Sequence, residues 1–202
     1  MEGITFQGIS EQFPLQGCRT IYGVTKLASE LLLQEYIQAF GIRGLVNRCG
    51  VISGSWQMGY QEQGFVSLWV AKHILKGRLS YIGFDGKQVR DILHIDDLCR
   101  LILFQLKDIK KFNGKIYNVG GGRENSISLL ELTKLCQDII GNKIEISSNP
   151  QVREGDIPWY ITDYSLVRED TGWKPQISLP QIVKDIGDWI LQYRDVLEPI
   201  FV

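Results

Sequence analysis

The sequence is poor in the residues that build metal and disulfide sites. It has two histidines, His73 and His94, and four cysteines at positions 18, 49, 99 and 136, with no C-x-x-C pair. Scattered cysteines in a chain of this length are more often reduced core residues than parts of a disulfide framework or a zinc site. We therefore expect no metal. We expect His94 to form a structural hydrogen bond after its strand, and His73 to pack or lie on the surface.

A surplus of charge and a long apolar run are also missing. Lys and Arg number 22 against 23 Asp and Glu, which argues against a nucleic-acid binder because such proteins usually carry a basic surplus. No apolar run approaches the roughly 18 residues that span a bilayer, and the first residues lack the basic start and apolar stretch of a signal peptide. We expect a soluble, cytoplasmic protein without nucleic-acid or membrane partners.

What the sequence does contain is an alternation of helix and strand patterns, which predicts an α/β protein with parallel strands. Asp85-Gly86 stands between two strand patterns and predicts a β-hairpin. The predicted helices cover 22–40, 63–76, 95–107, a segment capped by Ser126 or Ser128 and ended by Gly141, and 180–193. The predicted strands cover 45–52, 80–84, 88–93, 115–119 and 143–147.

The G-x-G-x-x-G fingerprint that opens a complete dinucleotide-binding domain is absent. Gly120–Gly122 follows a predicted strand and precedes a helix, but Asn125 stands where the third glycine should be. Three adjacent glycines also form ordinary turns. The pattern therefore favours a turn over a phosphate-binding loop at this position.

Tyr22 and Lys26 are the first candidates for chemistry. Their spacing of four places both on one face of the predicted helix. An ammonium group close to a phenol favours the phenolate, which converts an inert hydroxyl into a general acid or base. A Tyr-x-x-x-Lys pair alone is not specific, so the surrounding sequence has to decide.

The surrounding sequence resembles the extended short-chain dehydrogenase/reductase family, the NAD-dependent nucleotide-sugar epimerases and dehydratases. Six segments match the family's motifs in order and together span about residues 20–190. Within the family, the chain is most similar to the CDP-paratose 2-epimerase subfamily. The residues that carry this similarity are 47–50, 56–59, 63–65, 81–84 and 88–91. The matching segments are Tyr22–Glu30, Asn47–Gly54, Arg90–Asp97, Tyr117–Gly120, Arg153–Asp156 and Thr171–Pro175.

The resemblance implies residue roles and a reaction. Tyr22 would be the acid/base at the sugar hydroxyl, and Lys26 would hold the ribose of the NAD cofactor. Arg90 and Arg153 would bind the diphosphate of the nucleotide sugar, with a CDP-sugar favoured. Asp156 would accept hydrogen bonds from the nucleotide ribose, while Arg48 would contact substrate or pair with a carboxylate. The reaction would oxidise the sugar transiently to a ketosugar and return hydride to its other face.

The resemblance also implies an incomplete Rossmann fold with a smaller α+β substrate-binding lobe. Residues 1–54 and 92–119 would be the remnant of the dinucleotide-binding domain, and 55–91 and 120–202 the nucleotide-sugar-binding lobe. The family's glycine-rich turn and catalytic Ser or Thr would lie upstream of Tyr22, leaving an exposed apolar sheet edge. The chain would be a fragment of such an epimerase or one half of a split enzyme, which a separate N-terminal Rossmann half would complete. A homo-oligomer stays open. The alternatives are a non-catalytic nucleotide-sugar-binding subunit and an inactive remnant.

Overall fold

Helices and strands alternate along the chain, as the sequence predicts. The structure, a computed structural model, describes residues 2–17, 20–60, 63–152 and 155–201. The helices are α1 (Ile21–Phe40), α2 (Phe65–Leu75), α3 (Ile95–Lys107), α4 (Ile109–Phe112), α5 (Leu129–Ile140), α6 (Ser165–Thr171), α7 (Leu179–Gln192) and α8 (Arg194–Phe201). The strands are β1 (Val46–Cys49), β2 (Val51–Ser53), β3 (Leu79–Ile82), β4 (Val89–His94), β5 (Ile116–Val119), β6 (Ser126–Ser128), β7 (Ile146–Asn149) and β8 (Trp159–Tyr160).

The strands pair mostly in parallel, which confirms the predicted α/β class. β1 pairs with β5 from Val46↔Ile116 to Cys49↔Val119, and β2 pairs with β4. β4 also takes β6 as an antiparallel neighbour and β8 as a parallel one. Among the described residues β1 has no strand partner besides β5, so its other edge is open.

The predicted hairpin at Asp85-Gly86 is wrong. The chain forms a single turn of 3-10 helix over Phe84–Gly86, and Asp85 has a φ of 49°. β3 instead pairs in parallel with β7, more than 60 residues later, while β4 pairs with β2. Asp85 and Gly86 therefore form a turn between β3 and β4, as residues of these types often do, but the two strands that it connects pair with other strands and not with each other.

Capping residues set the helix ends, and the predicted Gly41, Ser128 and Gly141 are among them. Thr20 caps α1 by accepting a hydrogen bond from the Gly23 amide, and the helix ends at Gly41 with a φ of 63°. Ser128, one of the two predicted caps, forms a capping box with Glu131 at the start of α5. Ser126 lies two residues earlier, in β6.

Both histidines have the structural roles expected of them. His94 caps α3, its Nδ1 accepting a hydrogen bond from the Asp96 amide at 3.1 Å. His73 is buried in α2, where its Nδ1 donates to the Trp69 carbonyl at 2.7 Å. Burial lowers the pKa of His73, which keeps the ring neutral at physiological pH.

Two hydrophobic clusters hold the described chain together. The first joins α2, α5, α7 and α8, and the α7 face Ile182, Ile186 and Ile190 is fully buried in it. The second joins β4, β5, α3 and α6 around Leu101 and Tyr117. The division of the chain into a dinucleotide-binding remnant and a nucleotide-sugar-binding lobe stays a prediction.

Helix α1 belongs to neither cluster. It has no buried residue over its 20 positions. Large apolar side chains along it are exposed to solvent, among them Ile21 at 82%, Leu32 at 59% and Phe40 at 70%. An exposed apolar surface of this length is characteristic of an interaction site.

The sequence predicts cysteines that are reduced and buried in the core, and the structure agrees only in part. Cys49, Cys99 and Cys136 are free thiols, as expected of reduced residues, but Cys136 alone of these three is buried. The core prediction is wrong for Cys49, the last residue of the open-edged β1, and for Cys99, on an exposed position of α3. Cys18 lies outside the described residues.

Neither a metal cluster nor a membrane span is found in the described segments. No group of three or more His, Cys, Asp or Glu side chains there could hold a metal ion. In the same ranges, every helix is too short or too polar to cross a membrane.

Candidate active site

A large cavity follows the open edge of β1. It has a volume of about 1460 Å³ and is bordered by α1, β1, β2, α2 and β3. Small-molecule sites usually enclose roughly 300–1000 Å³. This cavity exceeds that range because its wall is missing along β1, where no described strand closes it. Five of the predicted site residues line it: Tyr22, Lys26, Arg48, Arg90 and Asp156.

Tyr22 and Lys26 lie in the first two turns of α1, as their spacing predicts. The Lys26 Nζ is 5.1 Å from the centre of the Tyr22 ring. The Tyr22 side chain is 68% exposed, and Lys26 forms no ion pair with the residues that the structure describes. Both groups are therefore free to contact a bound molecule, and a phenol beside an ammonium is suited to proton transfer.

Glu30 and Arg48 form the back wall beside this pair. Arg48 donates from Nε and Nη2 to the two Glu30 carboxylate oxygens, at 2.9 and 2.7 Å. These hydrogen bonds raise the pKa of Arg48 above its usual value, which keeps it charged. Pairing with a carboxylate was one of the two roles that the sequence leaves open for Arg48, and its contact with substrate stays a prediction. This bidentate pair ties α1 to β1.

Arg90 and Asp156 lie together on another part of the cavity wall. Arg90 Nη2 donates to Asp156 Oδ1 at 2.6 Å and to the Ile157 carbonyl at 2.8 Å. Arg90 Nη1 donates to the Val89 carbonyl at 2.8 Å. The side chains of Arg90 and Asp156 are 20% and 27% exposed, so both remain accessible from the cavity. The sequence did not predict this contact between the two residues.

One predicted site residue cannot be placed, and one wall residue was missed. Arg153 lies outside the described residues. Glu30 was given no role from the sequence, although it is the last residue of the matched segment Tyr22–Glu30. The spacing of 22, 26 and 30 places Glu30 on the same face of α1 as the predicted pair, and that spacing was the available signal.

The glycine run after β5 is a close-packed turn, as the sequence favours. A Cβ atom at Gly120 would collide with Thr162 Oγ1 and Asp91 Oδ2, and one at Gly121 would collide with the Ile92 carbonyl. The Gly122 amide already donates to Asp91 Oδ2 at 3.0 Å. The Gly122 amide is thus paired with a carboxylate, which agrees with a packed turn and not with a phosphate-binding loop.

The parallel α/β architecture is that of an incomplete Rossmann fold, and its cavity holds a Tyr–Lys pair. Comparison with known families identifies which family of Rossmann-fold proteins the chain belongs to. The model of the NAD dependent epimerase/dehydratase family matches residues 4–120, and the chain belongs to that family. The family prediction made from the motifs is thereby confirmed, and the cofactor of the family is NAD.

Curated relatives agree with this assignment. The chain is 32% identical over 172 residues to CDP-paratose 2-epimerase of Salmonella typhi, covering 83% of this chain and 51% of the relative. It is 30% identical over 170 residues to a putative UDP-glucose 4-epimerase of Methanocaldococcus jannaschii, covering 84% and 52%. The chain spans about half the length of the curated relatives it matches.

Solved structures share the fold. The UDP-glucuronic acid 4-epimerase of Bacillus cereus, in complex with UDP-glucuronic acid and NAD, aligns with a TM-score of 0.81 at 26% identity, covering 95% of this chain and 58% of that one. The dTDP-glucose 4,6-dehydratase of Streptomyces venezuelae, with NAD bound, aligns with a TM-score of 0.80 at 27% identity, covering 98% and 59%. Coverage near 60% of these chains agrees with a partial Rossmann fold.

Proposed function

We propose that this chain supplies the acid/base pair and the nucleotide-sugar lobe of an NAD-dependent nucleotide-sugar epimerase. The observation that carries the proposal is that one cavity has Tyr22 and Lys26 on one wall and Arg90 with Asp156 on another. Similarity to CDP-paratose 2-epimerase favours a CDP-sugar and epimerisation at C2, between CDP-paratose and CDP-tyvelose.

Tyr22 moves the proton in this reaction. As phenolate it takes the proton of the sugar hydroxyl while the carbon is oxidised, and it gives the proton back when the ketosugar is reduced on its other face. Lys26 places its positive charge 5.1 Å from the centre of the Tyr22 ring and would hold the nicotinamide ribose of a bound cofactor. NAD, when bound, supplies a hydride acceptor and donor.

The Tyr22–Lys26 end of the cavity fits such a cofactor, because both side chains are exposed there and Lys26 has no described carboxylate partner. The described residues offer no matching cradle for the pyrophosphate, since the glycine run packs against Asp91. The glycine-rich turn must therefore come from outside these residues, either from the same polypeptide or from a separate chain.

The substrate diphosphate lies against Arg90, with Arg153 as a second proposed contact. Guanidinium groups suit phosphate oxygens because their planar N–H donors match the oxygen geometry. Asp156 uses Oδ1 for both Arg90 and the Ile157 amide, which leaves Oδ2 without a described hydrogen bond. That oxygen is the proposed acceptor for the nucleotide ribose hydroxyls.

The open edge of β1 is the proposed contact with the dinucleotide half. A parallel sheet is normally covered by helices on both faces and is rarely as small as two strands. Here β1 has one described partner, and α1 beside it buries none of its residues. An additional parallel strand with its helix would pair with β1, cover the apolar side chains of α1 and close the cavity.

The test is a chimaera that joins this chain to the part of Salmonella typhi CDP-paratose 2-epimerase that it does not span. We expect the chimaera to interconvert CDP-paratose and CDP-tyvelose. Chromatography of the sugars measures the rate of this conversion. Tyr22→Phe should lower the rate by a factor of roughly 10² to 10⁴, the range for a lost general acid/base. Tyr36→Phe is the matched control, because Tyr36 lies on the same helix but outside the cavity lining.

Two results would contradict the proposal. A Tyr22→Phe chimaera with the rate of the Tyr36→Phe control would show that Tyr22 does not transfer the proton. A folded chimaera that binds CDP-sugar and NAD but never epimerises would favour the non-catalytic nucleotide-sugar-binding subunit.

A further inference from the structure

A second, separate pocket lies where the start of α3 meets α7. Its volume is about 380 Å³, within the range of small-molecule sites, and none of its lining residues borders the large cavity. Its wall contains three carboxylates, those of Asp96, Asp185 and Asp188. Lys and Arg side chains are absent from its described lining, but Lys184 Nζ forms an ion pair with Asp188 Oδ2 at 2.7 Å from outside it. Asp96 and Asp185 have no described Lys or Arg partner, so these two carboxylates would repel an anionic ligand.

Buried N–H donors stand beside these carboxylates. The His94 side chain is 6% exposed, and its Nδ1 accepts a hydrogen bond from the Asp96 amide. Because Nδ1 accepts, the ring carries a hydrogen on Nε2, which has no hydrogen-bond partner among the described residues. His94 Nε2 faces Asp185 Oδ2 at 3.7 Å, too far for a direct hydrogen bond.

Trp189 adds a second donor of the same kind. It lines the same pocket, is 5% exposed, and its Nε1–H has no partner in the described parts of the chain. A buried N–H without a partner is costly, so a bound group that accepts from these donors would be stabilised. The acceptor must also tolerate the neighbouring carboxylates.

Aromatic rings form the outer part of the pocket. Trp56 packs against Trp189 and Tyr193, with ring centres 5.7 and 5.0 Å apart, yet remains 62% exposed. Tyr193 is 38% exposed. These rings offer a flat apolar surface next to a polar floor of donors and acceptors.

We propose that this pocket binds a neutral polyhydroxyl ligand of the pyranose type, away from the proposed catalytic cavity. A hydroxyl group both donates and accepts, so one placed between His94 and Asp185 would accept from Nε2 and donate to Oδ2. The C–H face of the ring would lie on Trp56. An organic cation would suit the carboxylates but would leave the His94 and Trp189 donors without acceptors.

The test measures binding of D-glucose, D-galactose and D-mannose to the 202-residue chain by saturation-transfer NMR, with choline and inorganic phosphate as comparison probes. We expect at least one pyranose to bind with a dissociation constant in the range of about 1–10 mM, and neither comparison probe to bind at this pocket. Trp56→Gly removes the platform and suits the left-handed backbone there, where φ is 68°. Asp185→Asn changes one acceptor and leaves the packing in place.

Both variants should weaken pyranose binding by about tenfold or more while keeping the thermal unfolding midpoint near that of the parent chain. Trp159→Ala is the matched control, because Trp159 is 41% exposed and lies outside the pocket lining. Arg90→Ala should leave pyranose binding unchanged, which separates this pocket from the catalytic cavity.

The proposal is overturned if no pyranose binds below about 50 mM, which would leave only water at the His94–Asp185 gap. It is also overturned if pyranose binding survives both pocket variants or is lost in Arg90→Ala. Binding of choline in place of the pyranoses would show an organic-cation site instead.

Discussion

Replacing Arg90 by alanine tests the proposed diphosphate contact most directly, because its donors can be counted. A guanidinium group carries five N–H donors. Three of them are used inside the protein, on Asp156, Ile157 and Val89. The remaining two, on Nε and Nη1, have no partner among the described residues and could reach a phosphate oxygen at the cavity wall.

The expected losses differ for binding and for folding. A hydrogen bond to a charged group contributes about 1.5–3 kcal/mol, so Arg90→Ala should weaken CDP binding roughly 10- to 150-fold. The ion pair with Asp156 is partly exposed and contributes about 0–1 kcal/mol, and the two bonds to carbonyls contribute about 1 kcal/mol each. We therefore expect Arg90→Ala also to lower the free energy of unfolding by about 2–3 kcal/mol.

Calorimetric titration with CDP and with a CDP-sugar measures the first loss, and urea unfolding measures the second. The two ligands should lose affinity equally, because the proposed contact is with the diphosphate that they share. Arg123→Ala is a suitable control, since Arg123 also donates to a carbonyl, that of Phe6, but does not line the cavity. An Arg90→Ala chain that stays folded and binds CDP as tightly as the control would refute the diphosphate role and leave Arg90 a structural residue.

Three further outcomes are expected. Tyr117→Phe removes a 2.6 Å hydrogen bond to Asp170, whose pKa is lowered by its bonds from Lys115 and Tyr117. The variant should lose about 1–2 kcal/mol of stability at pH 7. This loss should shrink as the pH falls below about 4, because the Asp170 carboxylate is then protonated in both the parent and the variant. Urea unfolding at several pH values measures the loss, and a difference that stays constant with pH would contradict this expectation. The 202-residue chain alone should bind NAD weakly or not at all by calorimetry, and micromolar affinity would place the pyrophosphate site within it. In the chimaera, Tyr22→Phe and Lys26→Met should be strongly non-additive in rate, whereas simple additivity would mean that they do not act as a unit.

Local chemistry made most helices predictable from the sequence. The α7 segment shows its buried face through Ile182, Ile186 and Ile190, and α5 shows its start through a capping serine and its end through Gly141. The predicted bounds of α3 match the structure, because apolar periodicity and a following break are both present in the sequence.

Long-range pairing explains the failures. The pairing of β3 with β7 joins residues that no local signal connects, and it overrode the turn signal at Asp85-Gly86. Strands β6 and β8 have only three and two residues, too short for a period to show. The contacts of the candidate site are similar: Arg90 and Asp156 were each singled out, but their ion pair bridges 66 positions and depends on β8 lying beside β4.

The sparse anchoring of α1 has a consequence for the order of events in the assembled enzyme. Segments with few buried apolar contacts open at a small free-energy cost, so the backbone amides of α1 should exchange with solvent deuterium far faster than those of the buried α7. The proposed proton-transfer pair therefore lies on a long helix with no buried residue, which we expect to open more easily than α7. Part of the free energy gained when the dinucleotide half docks would be offset by the cost of ordering that helix. Protection of α1 from hydrogen exchange and catalytic activity should therefore appear in the same step.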